Sequence, residues 1–227
     1  MIRRLSQWLR KHQALRAVVL WVRRRRDDLI DKYLNIKTSH GSVEVAGYRS
    51  KFDDPVEYDV VDYLLVRKFI KPLTLTSDDV VFDIGCGTGR VVCLFARRTI
   101  KKCVGLELST ELVRAARTNA KRLKGRKAPI EIIVADAAKA DYSEGTVFYL
   151  FNPFGKATLA AMVERIRQSL DAHPRRIQIV YVTPNYEMVL RDCQWLKRVG
   201  VKQPWLYRTK ASYWTNEAAV PRGVSHP

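Results

Sequence analysis

Residues 80–90, VVFDIGCGTGR, decide the fold of this chain. A run of apolar and mostly β-branched residues ends in Asp83, and glycines follow at positions 85, 87 and 89 before a helical pattern begins. A buried strand that turns through glycines into a helix is typical of the nucleotide-facing corner of a doubly wound α/β sheet. The stretch therefore predicts a mostly parallel sheet with a ligand bound at one edge.

The spacing of the glycines selects among the possible ligands. A dinucleotide fingerprint has glycines at its first, third and sixth positions, and the sixth position here is Arg90. A nicotinamide-linked oxidoreductase is therefore the disfavoured alternative. The acid-x-Gly-x-Gly-x-Gly pattern resembles the first motif of the class I S-adenosylmethionine-dependent methyltransferases. The resemblance implies that the methionine side of the cofactor is lined by Asp83, Gly85, Cys86, Gly87 and Gly89.

Further predicted strands end in polar residues suited to the same ligand. Residues 103–106 run into Glu107, twenty-four residues after Asp83, where a carboxylate can bond both hydroxyls of a ribose. The alternative is that Glu107 only caps the following helix. The resemblance, which covers residues 78–182, implies that Asp136 after strand 130–134 meets the adenine. Leu108 and Ala137 are also assigned to this site. Glu57 and Tyr58 are added from an upstream segment, which either closes over the methionine end of the cofactor or only packs on the domain.

The acceptor side is predicted at residues 151–155, FNPFG, which follow a strand at 146–151. An Asn or Asp followed by proline and an aromatic ring resembles the motif of amino-group methyltransferases. That likeness implies that the oxygen of Asn152 accepts a hydrogen bond from the acceptor nitrogen and that Phe154 stacks on the acceptor. The motif is one proline short of the NPPF or NPPY of base-modifying enzymes. It also differs from the Asn-Asn-Phe of DOT1-like histone lysine methyltransferases, which the chain loosely resembles.

The acceptor itself stays open between a protein lysine, RNA and a small molecule, and between nitrogen and oxygen. An Asn-Pro turn can also be purely structural. No histidine is placed as a base by its position in the sequence, and no residue pattern indicates a metal site. The competing hypothesis from another class is a non-catalytic cofactor-binding module that docks to RNA or to an anionic membrane.

Composition is consistent with one catalytic domain. A chain of 227 residues with 47% hydrophobic content can bury a full core without disulfides or metals. The four cysteines form no CxxC pair, which favours a reducing compartment and a cytoplasmic location.

The charge distribution points to a second partner. The net charge is +18, and residues 1–26 hold nine Lys or Arg and no acid. Apolar residues recur there at helical spacing, among them Leu5, Trp8, Leu9 and Val19, so the segment predicts a basic amphipathic helix. Three alternatives remain open: the helix binds an anionic membrane surface, binds nucleic acid, or packs on the domain. Trp21 lies outside the stripe, which leaves it free to pack on the domain.

These patterns predict a Rossmann-like class I methyltransferase fold. It has a seven-stranded, mostly parallel sheet, a C-terminal antiparallel hairpin and a helical N-terminal extension. We place the extension at residues 1–76, the S-adenosylmethionine-binding domain at 77–220 and a disordered tail at 221–227. A helix is expected from Asp54 to Phe69, with Pro55 in its first turn, and another over residues 158–170. A strand is expected over residues 176–182, and the hairpin over 194–201 and 205–214.

Overall fold

A seven-stranded mixed sheet forms the centre of the protein. The computed structural model describes residues 13–38, 61–204, 207 and 209–216. The strands are β1 (Val80–Ile84), β2 (Lys102–Glu107), β3 (Ile130–Val134), β4 (Val147–Phe151), β5 (Gln178–Val182), β6 (Lys197–Lys202) and β7 (Ala211–Thr215). Their order is β3-β2-β1-β4-β5-β7-β6. The first five are parallel, and β7 runs antiparallel to both β5 and β6. The predicted parallel sheet with a terminal antiparallel hairpin is confirmed.

Helices cover both faces of this sheet. They are α1 (Gln13–Leu34), α2 (Tyr63–Ile70), α3 (Arg90–Phe95), α4 (Thr110–Arg122), α5 (Lys156–Ala172) and α6 (Glu187–Arg191). Strands β1 and β5 are buried at every position, as expected where helices lie on both sides of a parallel sheet.

Successive residues of the central strands point into two separate apolar clusters, because side chains alternate across a sheet. The first cluster joins the strands to α2 and α3, and includes Val81, Tyr149, Val180, Phe69 and Phe95. The second joins them to α5, and includes Phe82, Phe148, Ile179, Met162 and Ile166. The sheet is therefore held rigidly from both sides, which fixes the positions of the loops at its edges.

The predicted helix over residues 54–69 is wrong as one continuous element. Helix α2 begins at Tyr63, because the carboxylate of Asp62 accepts hydrogen bonds from the amides of Leu64 (2.8 Å) and Leu65 (3.1 Å) and so caps a new helix. Residues 39–60, with the predicted start at Asp54, lie outside the described residues. Helix α5 extends two residues beyond the prediction at each end, and β5, β6 and β7 each begin later than predicted.

The N-terminal extension shares its core with the sheet. Asp27, Asp31 and Leu34 are buried on one side of α1, and Leu34 and Ile36 belong to the first apolar cluster. A boundary at residue 76 therefore stays a prediction. Trp21 is 58% exposed, so the alternative in which it packs on the domain is wrong. Residues 1–12, with Leu5, Trp8 and Leu9, lie outside the described residues. Among the described helices, none is both long and apolar enough to cross a membrane.

Candidate active site

The predicted site residues of four strands meet at the carboxyl-terminal edge of the sheet. Strand register aligns Ile84 of β1 with Leu106 of β2 and with Leu150 of β4. Glu107 at the end of β2 is paired with Val134 at the end of β3. The glycine loop, Glu107, Asp136 and Asn152 all follow these positions, so the topology brings together what the sequence spreads over seventy residues.

The glycine loop folds back over β2 and touches the turn after β4. The amides of Gly85 and Cys86 both donate to the carbonyl of Leu106, at 2.8 and 2.9 Å. Gly85 has φ +75°, and a Cβ added there would lie 2.5 Å from the Cβ of Pro153. Only glycine fits at this position, so the glycine loop and the Asn-Pro turn are in direct contact.

The side chain of Cys86 is buried in the protein interior. It packs with Val92 and Ile132 in a third, smaller apolar cluster, and its sulfur lies 2.9 Å from where a Cβ of Gly105 would be. Burial raises the pKa of its thiol well above the usual range. Cys86 therefore brings to the site only its backbone.

Glu107 is fixed across the glycine loop by three backbone amides. Its Oε2 accepts from Gly87 at 3.0 Å, and its Oε1 accepts from Leu108 at 2.8 Å and Ser109 at 3.0 Å. The side chain is buried, and this desolvation raises its pKa despite the hydrogen bonds. Ser109 caps α4 through its hydroxyl, which accepts from the amide of Leu112. Helix capping is therefore done by Ser109, and the carboxylate of Glu107 is left facing the loop.

Asp83 is a buried carboxylate beneath the same loop. It accepts one hydrogen bond from the amide of Val92 at 3.1 Å. Burial, with a further contribution from the negative charge of Glu107, raises the pKa of Asp83 to about 7. Because both carboxylates are buried and the charge of Glu107 disfavours ionisation of Asp83, a cation nearby would stabilise their ionised forms.

The raised pKa of Asp83 predicts that stability falls as pH rises. Its pKa is near 4 in the unfolded chain and about 7 when folded, so between these values only the folded protein holds the proton. The free energy of unfolding of the ligand-free protein should therefore decline from about pH 4.5 to about pH 7 and then level off. Asp83→Asn should flatten this decline. Urea denaturation at several pH values measures both, and identical pH profiles would contradict the assignment.

Asp136 lies in the turn that follows β3. Its Oδ1 accepts from the amide of Ala138 at 2.9 Å, and its Oδ2 lies 3.7 Å from Nζ of Lys139. The side chain is 39% exposed, and the neighbouring Ala137 is partly buried. Leu108, across the same edge, is 41% exposed. Asp136 and Leu108 are therefore open at the edge, and the role of all three residues toward an adenine ring stays a prediction.

Asn152 lies in a strained turn. It directly follows β4, whose last residue Phe151 is paired with Val182 of β5, and it has φ +40°. Thr183, which directly follows β5, also has positive φ (+50°), an outlier for a β-branched residue. Strained backbone of this kind clusters at functional sites. The pairing of β4 with β5 ends at Phe151 and Val182, and just beyond it Oδ1 of Asn152 accepts a long hydrogen bond from the hydroxyl of Tyr181 at 3.4 Å.

Phe154 packs partly against the second apolar cluster, so one side of its ring is held by the core. Sequence reasoning missed Tyr181 and Thr183, because nothing in the chain marks them until β5 pairs with β4. The strand prediction over residues 176–182 was the available signal, since it placed Thr183 at a strand end.

Arg90 is a third residue whose structural role sequence reasoning missed. It begins α3 directly after the glycine loop and is buried. Its Nη1 donates to Asp27 at 2.6 Å and to the carbonyl of Val61 at 2.8 Å, and its Nε donates to Thr38 at 2.8 Å. Its guanidinium lies 4.2 Å from the ring centroid of Tyr63. Arg90 thus ties the glycine loop to the N-terminal extension. Glu57 and Tyr58 lie outside the described residues.

Comparison with known proteins identifies the domain. Residues 81–173 match the family model described as a methyltransferase domain. The chain carries a class I S-adenosylmethionine-dependent methyltransferase domain. This confirms the resemblance seen in the glycine loop and in the strands that follow it.

Similar proteins include methyltransferases of different kinds. A protein-lysine N-methyltransferase from Saccharolobus islandicus (strain REY15A) is 33% identical over 88 residues, which is 38% of this chain and 54% of that protein. The match therefore spans about half the length of this curated relative.

Solved structures support the fold of the methyltransferase domain. An RNA methyltransferase from Salinibacter ruber, solved with S-adenosyl-L-homocysteine, has a TM-score of 0.53 at 21% identity, covering 74% of this chain and 100% of that one. A SAM-dependent methyltransferase from Aquifex aeolicus has a TM-score of 0.54 at 13% identity, covering 67% and 89%. At these identities the likeness shows the shared fold.

Proposed function

We propose that this chain is a methyltransferase that uses S-adenosylmethionine to methylate a nitrogen atom, and that the acceptor is the side-chain amine of a protein lysine. The observation that carries this proposal is the Asn152 turn, which presents an amide oxygen at the carboxyl-terminal edge, directly against the glycine loop. The protein-lysine N-methyltransferase relative supports the choice of lysine over RNA.

The edge of the sheet suits the cofactor chemically. The backbone of the glycine loop gives close approach, and Glu107 offers a carboxylate fixed by three amides that can accept further hydrogen bonds from a ribose diol. Burial raises the pKa of Asp83 because the ionised carboxylate is poorly solvated. The positive amino group of a methionine moiety nearby would stabilise that carboxylate. When bound, S-adenosylmethionine supplies an electrophilic methyl group on a sulfonium.

The residues on the acceptor side orient the nucleophile. An amine attacks through its lone pair, so its N–H groups must be held from the other side. The amide oxygen of Asn152 can accept one N–H, while Tyr181 holds that amide in place. Methyl transfer forms the N–C bond as the S–C bond breaks, and the resulting ammonium releases its proton to solvent. Such a reaction depends mainly on positioning, which these rigid strand ends provide.

A thermal-shift titration tests the cofactor. S-Adenosylhomocysteine at about a hundred times its Kd should stabilise the protein by about 2.7 kcal/mol, which corresponds to roughly 5–10 °C in Tm for a chain of this size. NADH at the same concentration should have no effect. Stabilisation by NADH alone would contradict the assignment.

A matched pair of Glu→Gln variants locates the ribose contact. Glu107→Gln should weaken S-adenosylhomocysteine binding roughly ten- to a hundredfold, because hydrogen bonds to a charged group are lost. Glu131→Gln, on the exposed outer strand β3, should bind as the parent does. Calorimetric titration measures both Kd values, and equal affinities would show that Glu107 does not contact the ligand.

Transfer of tritiated methyl groups tests the acceptor. The parent should label a protein fraction, and hydrolysis of that fraction should give methylated lysine. Label that appears only in RNA or in small molecules would reject lysine and leave the cofactor assignment intact.

A further inference from the structure

Helix α1 presents an apolar stripe opposite the side that packs on the domain. Val18, Val22, Leu29 and Tyr33 are 54%, 51%, 68% and 69% exposed. At 100° per residue these four positions fall within about 60° of one another, on the side of the helix away from the buried Asp27, Asp31 and Leu34. We call these four residues the apolar stripe.

The helix runs along the side of the sheet and continues past its edge. Asp27 contacts Arg90 at the carboxyl-terminal edge, and the carbonyl of Leu34 accepts from the amide of Lys124, in the loop that leads into β3 at the opposite edge. Going back along the helix from Asp27, each residue lies about 1.5 Å further along the helix axis, so residues 18–22 extend past the carboxyl-terminal edge. There Val19, Leu20 and Trp21 are exposed as well.

A basic cluster continues the stripe at the other end of the helix. It consists of Lys121, Arg122, Lys124, Arg126 and Lys127, all exposed, together with Arg97. The guanidinium of Arg97 lies 5.7 Å from the ring centroid of Tyr33, and the side-chain amide of Asn35 donates to the carbonyl of Arg122 at 3.1 Å. Residues 119–130 contain no acid. Apolar stripe and basic cluster thus form one continuous surface.

We propose that the apolar stripe and the basic cluster dock this protein on the surface of an anionic lipid bilayer. Lys and Arg are attracted to anionic headgroups, and aliphatic side chains on the same helix enter the boundary between headgroups and acyl chains. Nucleic acid would bind the basic side chains but would leave the apolar stripe exposed to water. A second copy of a chain with net charge +18 would be repelled. The combination of the two features favours the membrane.

The experiment uses the full chain and matched double variants in a vesicle sedimentation assay. Vesicles of equal parts phosphatidylglycerol and phosphatidylcholine should bind the parent, more weakly as salt rises, and vesicles of phosphatidylcholine alone should bind it at least tenfold less. Val22→Glu/Leu29→Glu should reduce binding to the anionic vesicles at least tenfold. Met188→Glu/Val201→Glu makes the same charge change at two exposed apolar residues of α6 and β6 and should stay within about twofold of the parent.

All four substituted residues are exposed, so both variants should keep the parent Tm and S-adenosylhomocysteine affinity. Equal binding of the two variants would overturn the proposal, as would equal binding of the parent to neutral and anionic vesicles. If the parent protein did not bind vesicles but bound single-stranded RNA, the surface would be a nucleic-acid-binding surface and the proposal would be wrong. If the parent were a dimer that did not bind vesicles, and only the stripe variant were monomeric, the surface would be an interface with a second copy and the proposal would be wrong.

Discussion

Replacing Asn152 by glycine is expected to lower methyl transfer about a hundredfold, while the affinity for S-adenosylhomocysteine stays within a factor of about two. Glycine accepts the φ of +40° at this position without strain, so the turn should keep its shape and lose only the amide. In the proposed function the lost hydrogen bond is the one that orients the acceptor in the transition state, where small misplacements cost about two orders of magnitude. The initial rate of tritium transfer and a calorimetric titration measure the two effects.

Three further variants separate orientation from scaffolding. Asn152→Asp keeps an acceptor oxygen and should retain more activity than the glycine variant. Asn35→Gly removes another asparagine with positive φ (+59°), remote from the edge, and should leave transfer unchanged. Tyr181→Phe should cost about two- to tenfold in kcat, the size of one neutral hydrogen bond. If Asn152→Gly were as active as the parent, the turn would have only a structural role.

Substitution of alanine for Gly85 is expected to abolish cofactor binding. The added Cβ would lie 2.5 Å from the Cβ of Pro153, and the φ of +75° is already unfavourable for alanine. The loop must move off the Asn-Pro turn or the two strands must separate, and either change removes the surface for the methionine moiety. The stabilisation by S-adenosylhomocysteine in a thermal-shift titration should disappear.

Gly125→Ala is the matched control for this change. Its φ of +70° imposes a similar backbone cost, about 1–2 kcal/mol, but the added Cβ would meet only the movable side chain of Arg97 at 3.2 Å. This variant should lose a few degrees of Tm and bind the cofactor like the parent. If both variants bound equally well, the contact between Gly85 and Pro153 would have no functional consequence.

Much of the sheet edge that carries the glycine loop could be predicted, because each signal is local in the chain. A β-branched strand that ends in Asp83 and a glycine loop is recognisable without any knowledge of its neighbours. The same is true of Glu107 at the end of the next strand. The parallel sheet, its terminal hairpin and the methyltransferase domain were therefore correctly predicted.

Helix boundaries were less predictable, because short-range signals compete. Asp54 with Pro55 and Asp62 are both good helix starts, and the structure begins α2 after the second of them. The start after Asp62 is stabilised by the packing of Tyr63 and Phe69 into the first apolar cluster, which the sequence does not display, and Asp54 lies outside the described residues.

The sequence by itself determined the order of the strands along the chain, the glycine loop and the candidate acids, because hydrophobic periodicity and turn residues act within about twenty positions of the chain. Only the tertiary structure decided that Gly85 lies against Pro153, that Tyr181 holds Asn152, and that Arg90 is buried against Asp27. These contacts join residues 29 to 68 positions apart, and they exist only once the strands have paired and the helices have packed on them. The exposed side of α1 was decided in the same way, since burial of Asp27, Asp31 and Leu34 determines which residues face outward.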